Sequence, residues 1–118
     1  MWPGWRDPRV QEIEQHWLEL EAQMDALPCP SEPWDQIASR RLCLAESLEA
    51  DLSPMQVVSA CQSIILSALT DAEASVIYPA RRRAVRRLTD NGVMPTEIAE
   101  VTGMGEDEIL RLLQEADM

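Results

Sequence analysis

The sequence predicts an all-α fold, and three observations carry that prediction. Apolar residues recur at alternating spacings of three and four over long stretches, the period of a helix with one buried face. Eight prolines stand against four glycines, which suits helices divided by stiff connectors better than a glycine-rich β fold. Helix-start residues stand at the breaks, and no alternating stretch reads as a strand. With 118 residues, of which 46% are apolar and 26% charged, the chain is long enough to bury one core and too apolar for disorder.

The elements follow in order. Residues 1–7 form a lead-in. From Pro8 the residues Val10, Ile13, Trp17, Leu20, Met24 and Leu27 make a heptad seam, with Glu12, Glu14, Glu19, Glu21 and Asp25 on the outer faces. Two readings of the seam stand open: a helix packed on its own domain, or a dimer or partner interface. Pro28-Cys29-Pro30-Ser31-Glu32-Pro33 ends the helix, because each proline removes a donor and restricts its predecessor. A second helix runs from Pro33 or Trp34 to about Ala50, with Trp34, Ile37, Ala38, Leu42, Ala45, Leu48 and Leu52 on its apolar stripe.

Ser53-Pro54-Met55-Gln56 has a serine cap, proline at the first helical position and glutamine in the capping-box place. The third helix is expected over about 54–77, with a kink or turn near Thr70-Asp71. Val57, Val58, Cys61, Ile64, Ile65, Ala68 and Leu69 are too dense for a surface helix, which makes it the central one. Tyr78-Pro79 is expected to be a boundary, dividing a helical dimerisation or partner-binding region, 1–78, from a second region, 79–118, though the two can form one compact domain. Beyond it Ala80, Ala84, Val85 and Leu88 fall on one side of a helix and Arg82, Arg83, Arg86 and Arg87 on the other. Asn91-Gly92 closes that helix, Pro95 opens a short one, Gly103 breaks it and Gly105 opens the last.

Charge excludes some functions. There are 21 acidic and 10 basic residues, a net charge of −11, and every basic residue is arginine. A general nucleic-acid coat needs surplus cations, so any contact with nucleic acid must be local. Residues 1–78 hold four arginines and 13 acids, and residues 79–118 hold six and eight. The longest apolar-rich stretch, Val57 to Leu69, is too short for a bilayer span of roughly 20 residues, and no secretory signal is read at the start. Three cysteines without a C-x-x-C, and a single histidine, His16, argue against zinc and for reduced thiols in a cytoplasm. No cofactor, metal or membrane contact is expected.

From Thr96 to Leu112 the residues Thr96-Glu97-Ile98-Ala99-Glu100-Val101-Thr102-Gly103-Met104-Gly105-Glu106-Asp107-Glu108-Ile109-Leu110-Arg111-Leu112 resemble a bacterial or phage helix-turn-helix. The resemblance is to the tri-helical type of resolvases, transposases and small repressors, and it covers Pro79 to Ala116. Ala99 stands where that family wants a small residue, Gly103 where it wants the turn glycine, and Ile109 where it wants a β-branched lock. Ile98, Met104 and Leu112 stand beside these anchors. Steeply crossing helices need a small residue at the contact and a glycine at the corner. The resemblance implies a small transcriptional regulator, a helical body with a C-terminal helix-turn-helix, binding DNA as a dimer. Arg82, Arg83, Arg86 and Arg87 would hold phosphates, while Glu106, Asp107, Leu110, Arg111 and Gln114 would face the bases.

The charges on that last helix suggest an alternative. Glu106, Asp107 and Glu108 suit the positive end of the helix dipole but repel phosphates. The four arginines can equally pair with acids of the N-terminal body. The alternative is an acidic protein–protein interaction module, an inhibitor or adaptor of a nucleic-acid-handling protein, that keeps the fold and docks on a basic partner through Leu110, the acids around it and the tryptophans. No cleft with a perturbed carboxylate pair is legible, so an enzyme is not expected. Trp2 and Trp5 are the tryptophans expected to be most available to a partner.

Overall fold

The computed structural model describes residues 7–115. Among them are six helices and no strand: α1 (Pro8–Asp25), α2 (Glu32–Asp51), α3 (Pro54–Ile65), α4 (Asp71–Asp90), α5 (Pro95–Thr102) and α6 (Glu106–Gln114). The all-α expectation therefore holds. Trp2 and Trp5 lie outside the described residues.

Helix starts are built as the residue types require. Asp7 caps α1 by accepting from the backbone N–H groups of Arg9 at 2.9 Å and Val10 at 3.4 Å. Ser31 caps α2 by accepting from the Trp34 N–H at 3.2 Å. Ser53 and Gln56 form a reciprocal capping box at α3. The Gln56 amide also donates to Asp7 at 3.0 Å, which ties the starts of α1 and α3 together.

The seam of α1 faces inward. Val10, Trp17, Leu20 and Met24 are buried, and Ile13 and Leu27 are partly covered. The helices that α1 contacts are α2 and α3. The seam is thus spent on the chain's own core, which is the first of the two readings it allowed, and it is not an open stripe.

The third helix ends twelve residues earlier than the sequence suggests, at Ile65 rather than 77. Ser67 turns its hydroxyl back to the Ile64 carbonyl at 2.7 Å, competing with helix continuation. Its oxygen in turn accepts from the Trp17 indole N–H at 2.9 Å. A new helix then starts at a second capping box, in which Thr70 Oγ1 accepts from the Glu73 N–H at 3.2 Å and Glu73 Oε1 from the Thr70 N–H at 2.9 Å. The turn expected near Thr70-Asp71 is therefore a full break between helices.

The boundary expected at Tyr78-Pro79 is corrected in the opposite sense, because α4 runs through Pro79. A proline inside a helix leaves the carbonyl four residues earlier without its donor. Here that residue is Ser75, which is exposed, so water can serve its carbonyl. Ile77, Ala80, Ala84, Val85 and Leu88 form the buried stripe of α4 on both sides of the proline. One contiguous apolar cluster joins residues of all six helices, with α3 at its centre and α4 packed along it.

A charged pair lies inside this core. Arg41 of α2 and Glu73 of α4 have side chains only 4% and 1% exposed, and they meet through two bonds of 2.6 and 2.7 Å. Arg41 also donates to the Ala68 carbonyl at 3.1 Å and lies over the Trp17 ring, 4.7 Å from its centroid. Breaking such a pair is costly because the survivor stays buried.

Candidate functional site

The C-terminal helices bring together the residues that the sequence marks for function. α5 ends at Gly103, whose φ of 77° is left-handed and unfavourable for any residue with a Cβ. Thr102, buried beside it, donates to the Ile98 carbonyl at 2.7 Å and accepts from the Met104 N–H at 3.2 Å. That pair of bonds fixes the corner. Ile98, Met104, Ile109 and Leu112 are buried, and Ala99 is partly covered. α6 packs on α5 and α4, so its other face is left to solvent.

On that face Glu106, Asp107, Leu110, Arg111 and Gln114 are all exposed. With no side chain capping α6, the negative charges of its first turn, Glu106, Asp107 and Glu108, offset the unpaired N–H groups there. Glu108 is engaged on two sides. It accepts from Arg81 at 2.7 Å and sits 3.7 Å from Arg111.

The arginines of α4 do not form one open face. Arg83 is bonded to Glu49 of α2 through two contacts, 2.5 and 3.0 Å. Arg87 shares a shallow cleft with Glu49. The Glu49 carboxyl is held below its ordinary range, chiefly by the Arg83 hydrogen bond, against the opposing effect of burial, and also by the charges of Arg83 and Arg87. Arg82 is 3.5 Å from the Glu115 carboxylate, and Arg86 donates to the Glu115 backbone carbonyl. One pair thus leans on the N-terminal body and the other on the end of α6. Arg81, just before them in sequence, is buried, donates to Gln62 at 2.6 Å and stacks on Tyr78.

Sequence reasoning missed the Arg41–Glu73 pair, although a signal existed. Ala38, Arg41, Ala45 and Leu48 follow the three-four spacing of an apolar stripe, as do Glu73, Ile77, Ala80 and Ala84. A charge on each of two stripes that share a core has to find the other. Among the described residues no group of three or more His, Cys, Asp or Glu side chains is placed to hold a metal, and no helix is long and apolar enough to cross a membrane. Comparison with family models, with curated proteins and with solved structures gave no match to this chain.

Proposed function

We propose that this chain is an acidic protein-binding module whose partner is a basic protein, with the exposed face of α6 as its contact. The observation that carries the reading is the use of the α4 arginines. Arg83 is committed to Glu49, and Arg82 and Arg86 to Glu115. A phosphate would have to displace the carboxylates of Glu49 and Glu115 and the Glu115 backbone carbonyl while approaching Glu106 and Asp107. Each exposed pair is worth only about 0–1 kcal/mol, but the net charge of −11 opposes a polyanion at every distance within the screening length. A basic partner would be attracted by that same charge, and Leu110, 43% exposed, offers it an apolar anchor.

A second reading, a DNA-binding regulator of helix-turn-helix type, is favoured by the left-handed Gly103 corner and by exposed Arg111 and Gln114 on α6. In it, Arg111 and Gln114 reach bases, and Arg82, Arg83, Arg86 and Arg87 turn from their present partners to phosphates. Dimerisation would use a surface other than the buried α1 seam. The two readings separate on selection from a random duplex pool at two salt concentrations. The first expects no enrichment at low salt. A recovered palindromic motif, bound more weakly as salt rises and lost in the Arg82→Ala/Arg86→Ala variant, would overturn it.

A further inference from the structure

Two concavities meet where α1 faces the connector between α3 and α4. The first, about 270 Å³, lies between Trp17 and Leu18 on one side and Ile64 and Leu66 on the other. The second, about 430 Å³, continues from it past Glu21, Leu66 and Ser67 toward Trp34. Leu18 is 56% exposed and Leu66 86%. Two leucines so open, lining one groove, are an unusual use of apolar surface for a chain with a well-formed core.

The rim of this groove is acidic. Glu14 and Glu21 line it, one helical turn to either side of Leu18. Glu14 accepts from the Ser63 hydroxyl at 2.6 Å. Glu21 has one carboxylate oxygen that is buried, accepts no hydrogen bond among the described residues and lies 4.0 Å from Arg41. Among the described residues Arg41 is the only cation lining either concavity, and its charge is already met by Glu73. Asp25 lines the second concavity as well, and the neighbouring face of α1 adds exposed Glu12 and Glu19. An apolar floor with an uncompensated acidic rim has one natural complement, an amphipathic helix whose polar face is basic.

We propose that this groove docks a basic amphipathic helix of a partner protein. Apolar side chains of that helix cover Leu18 and Leu66, and its arginines or lysines meet Glu14 and Glu21. A second copy of this chain is a poor occupant, since the chain as a whole carries a net charge of −11 and its one net-basic helix, α4, already has its apolar stripe buried in its own core. Nucleic acid and anionic lipid are repelled by the same net charge. The proposal rests on the reading of the chain as a module for basic partners, but places a contact on helices that α6 does not touch.

The test titrates the isotope-labelled full chain with a synthetic leucine–alanine–arginine peptide of about 18 residues, five helical turns with the leucines on one face. A scrambled peptide of the same composition is the control. The expected result is amide shifts centred on Leu18, Ser63, Leu66 and Ser67, with a shift of the Trp17 indole N–H, and binding at least about tenfold tighter than the scrambled peptide. Leu18→Asp/Leu66→Asp should abolish that preference at unchanged melting temperature, both residues being exposed, while Leu110→Asp leaves it intact. Equal binding of the two peptides, shifts centred on α6, or no binding would overturn the groove. Recovery of a DNA motif from the duplex pool would overturn the parent reading instead, whatever the peptide does.

Discussion

Replacing Arg41 by methionine should be among the most damaging single changes in this protein. Methionine fills much of the arginine's volume but leaves the Glu73 carboxylate, 1% exposed, without the two bonds of 2.6 and 2.7 Å that it now accepts. Among the described residues the Thr70 N–H would be its one remaining donor. Orphaning one member of a buried pair costs about 3–5 kcal/mol, a large share of the 5–15 kcal/mol typical of a domain. At roughly 4 °C per kcal/mol for a domain of this size, the melting temperature should fall by about 12–20 °C. Glu73→Gln should be milder, because glutamine can still accept from Thr70 and Arg41 keeps Glu21 at 4.0 Å. The double variant should cost less than the sum of the two, with a coupling of up to about 3 kcal/mol. Arg83→Met is the matched control. Its pair with Glu49 is half open to water, the side chains being 50% and 38% exposed, and the loss should stay under about 1 kcal/mol. Thermal and urea melts followed by circular dichroism give all four values. If Arg41→Met cost no more than Arg83→Met, burial would not be what makes the inner pair matter.

Three further outcomes follow from the geometry. Gly103→Ala should destabilise by about 1–2 kcal/mol, measured by urea unfolding, because alanine cannot hold a φ of 77° without strain. Native protein should react rapidly with a thiol reagent at Cys29 and Cys43, which are exposed, and only on unfolding at Cys61. Burial of the Cys61 thiol pushes its pKa up to about 12, so little thiolate forms at neutral pH. Asp7, through the Gln56 hydrogen bond above all, and Glu49, through Arg83, both have carboxyl pKa values below the ordinary range. A lowered carboxyl pKa stabilises the fold above the unfolded-state value and is lost as pH falls through the folded one. Asp7→Asn and Glu49→Gln should therefore narrow the melting-temperature gap to the parent chain as pH drops below about 4.

What the sequence disclosed, and what it withheld, divides along the range of the forces involved. Helix starts depend on residues within one turn, so the start at Pro8 and the Ser53 capping box were legible, whereas Ser31 caps α2 at Glu32, one residue before the Pro33 expected. So was the inward stripe of Ala80, Ala84, Val85 and Leu88. The break after Ile65 was less so, since an apolar run from Val57 to Leu69 hides a helix end inside it. The Thr70–Glu73 capping box was the local clue. Pro79 misled because a proline inside a helix is tolerated where the orphaned carbonyl faces water, and exposure of Ser75 is a tertiary fact. The arginines of α4 could be placed on one side of a helix from their spacing. Their division between Glu49 and Glu115 depends on how α2 and α6 flank that helix, which spacing alone does not contain.

The unbroken course of α4 also bears on how this protein can be cut, fused or inherited. A gene fragment beginning at Pro79 would carry away half a helix and leave the other half behind. The severed piece would bare Ala80, Ala84 and Val85, which now press against the rest of the core, and the remnant would keep Glu73 on a stub too short to hold it against Arg41. Grafting the last three helices onto another protein should therefore start at Thr70, where the capping box provides a natural first residue. Even then the graft would have to bring its own cover for the α4 stripe.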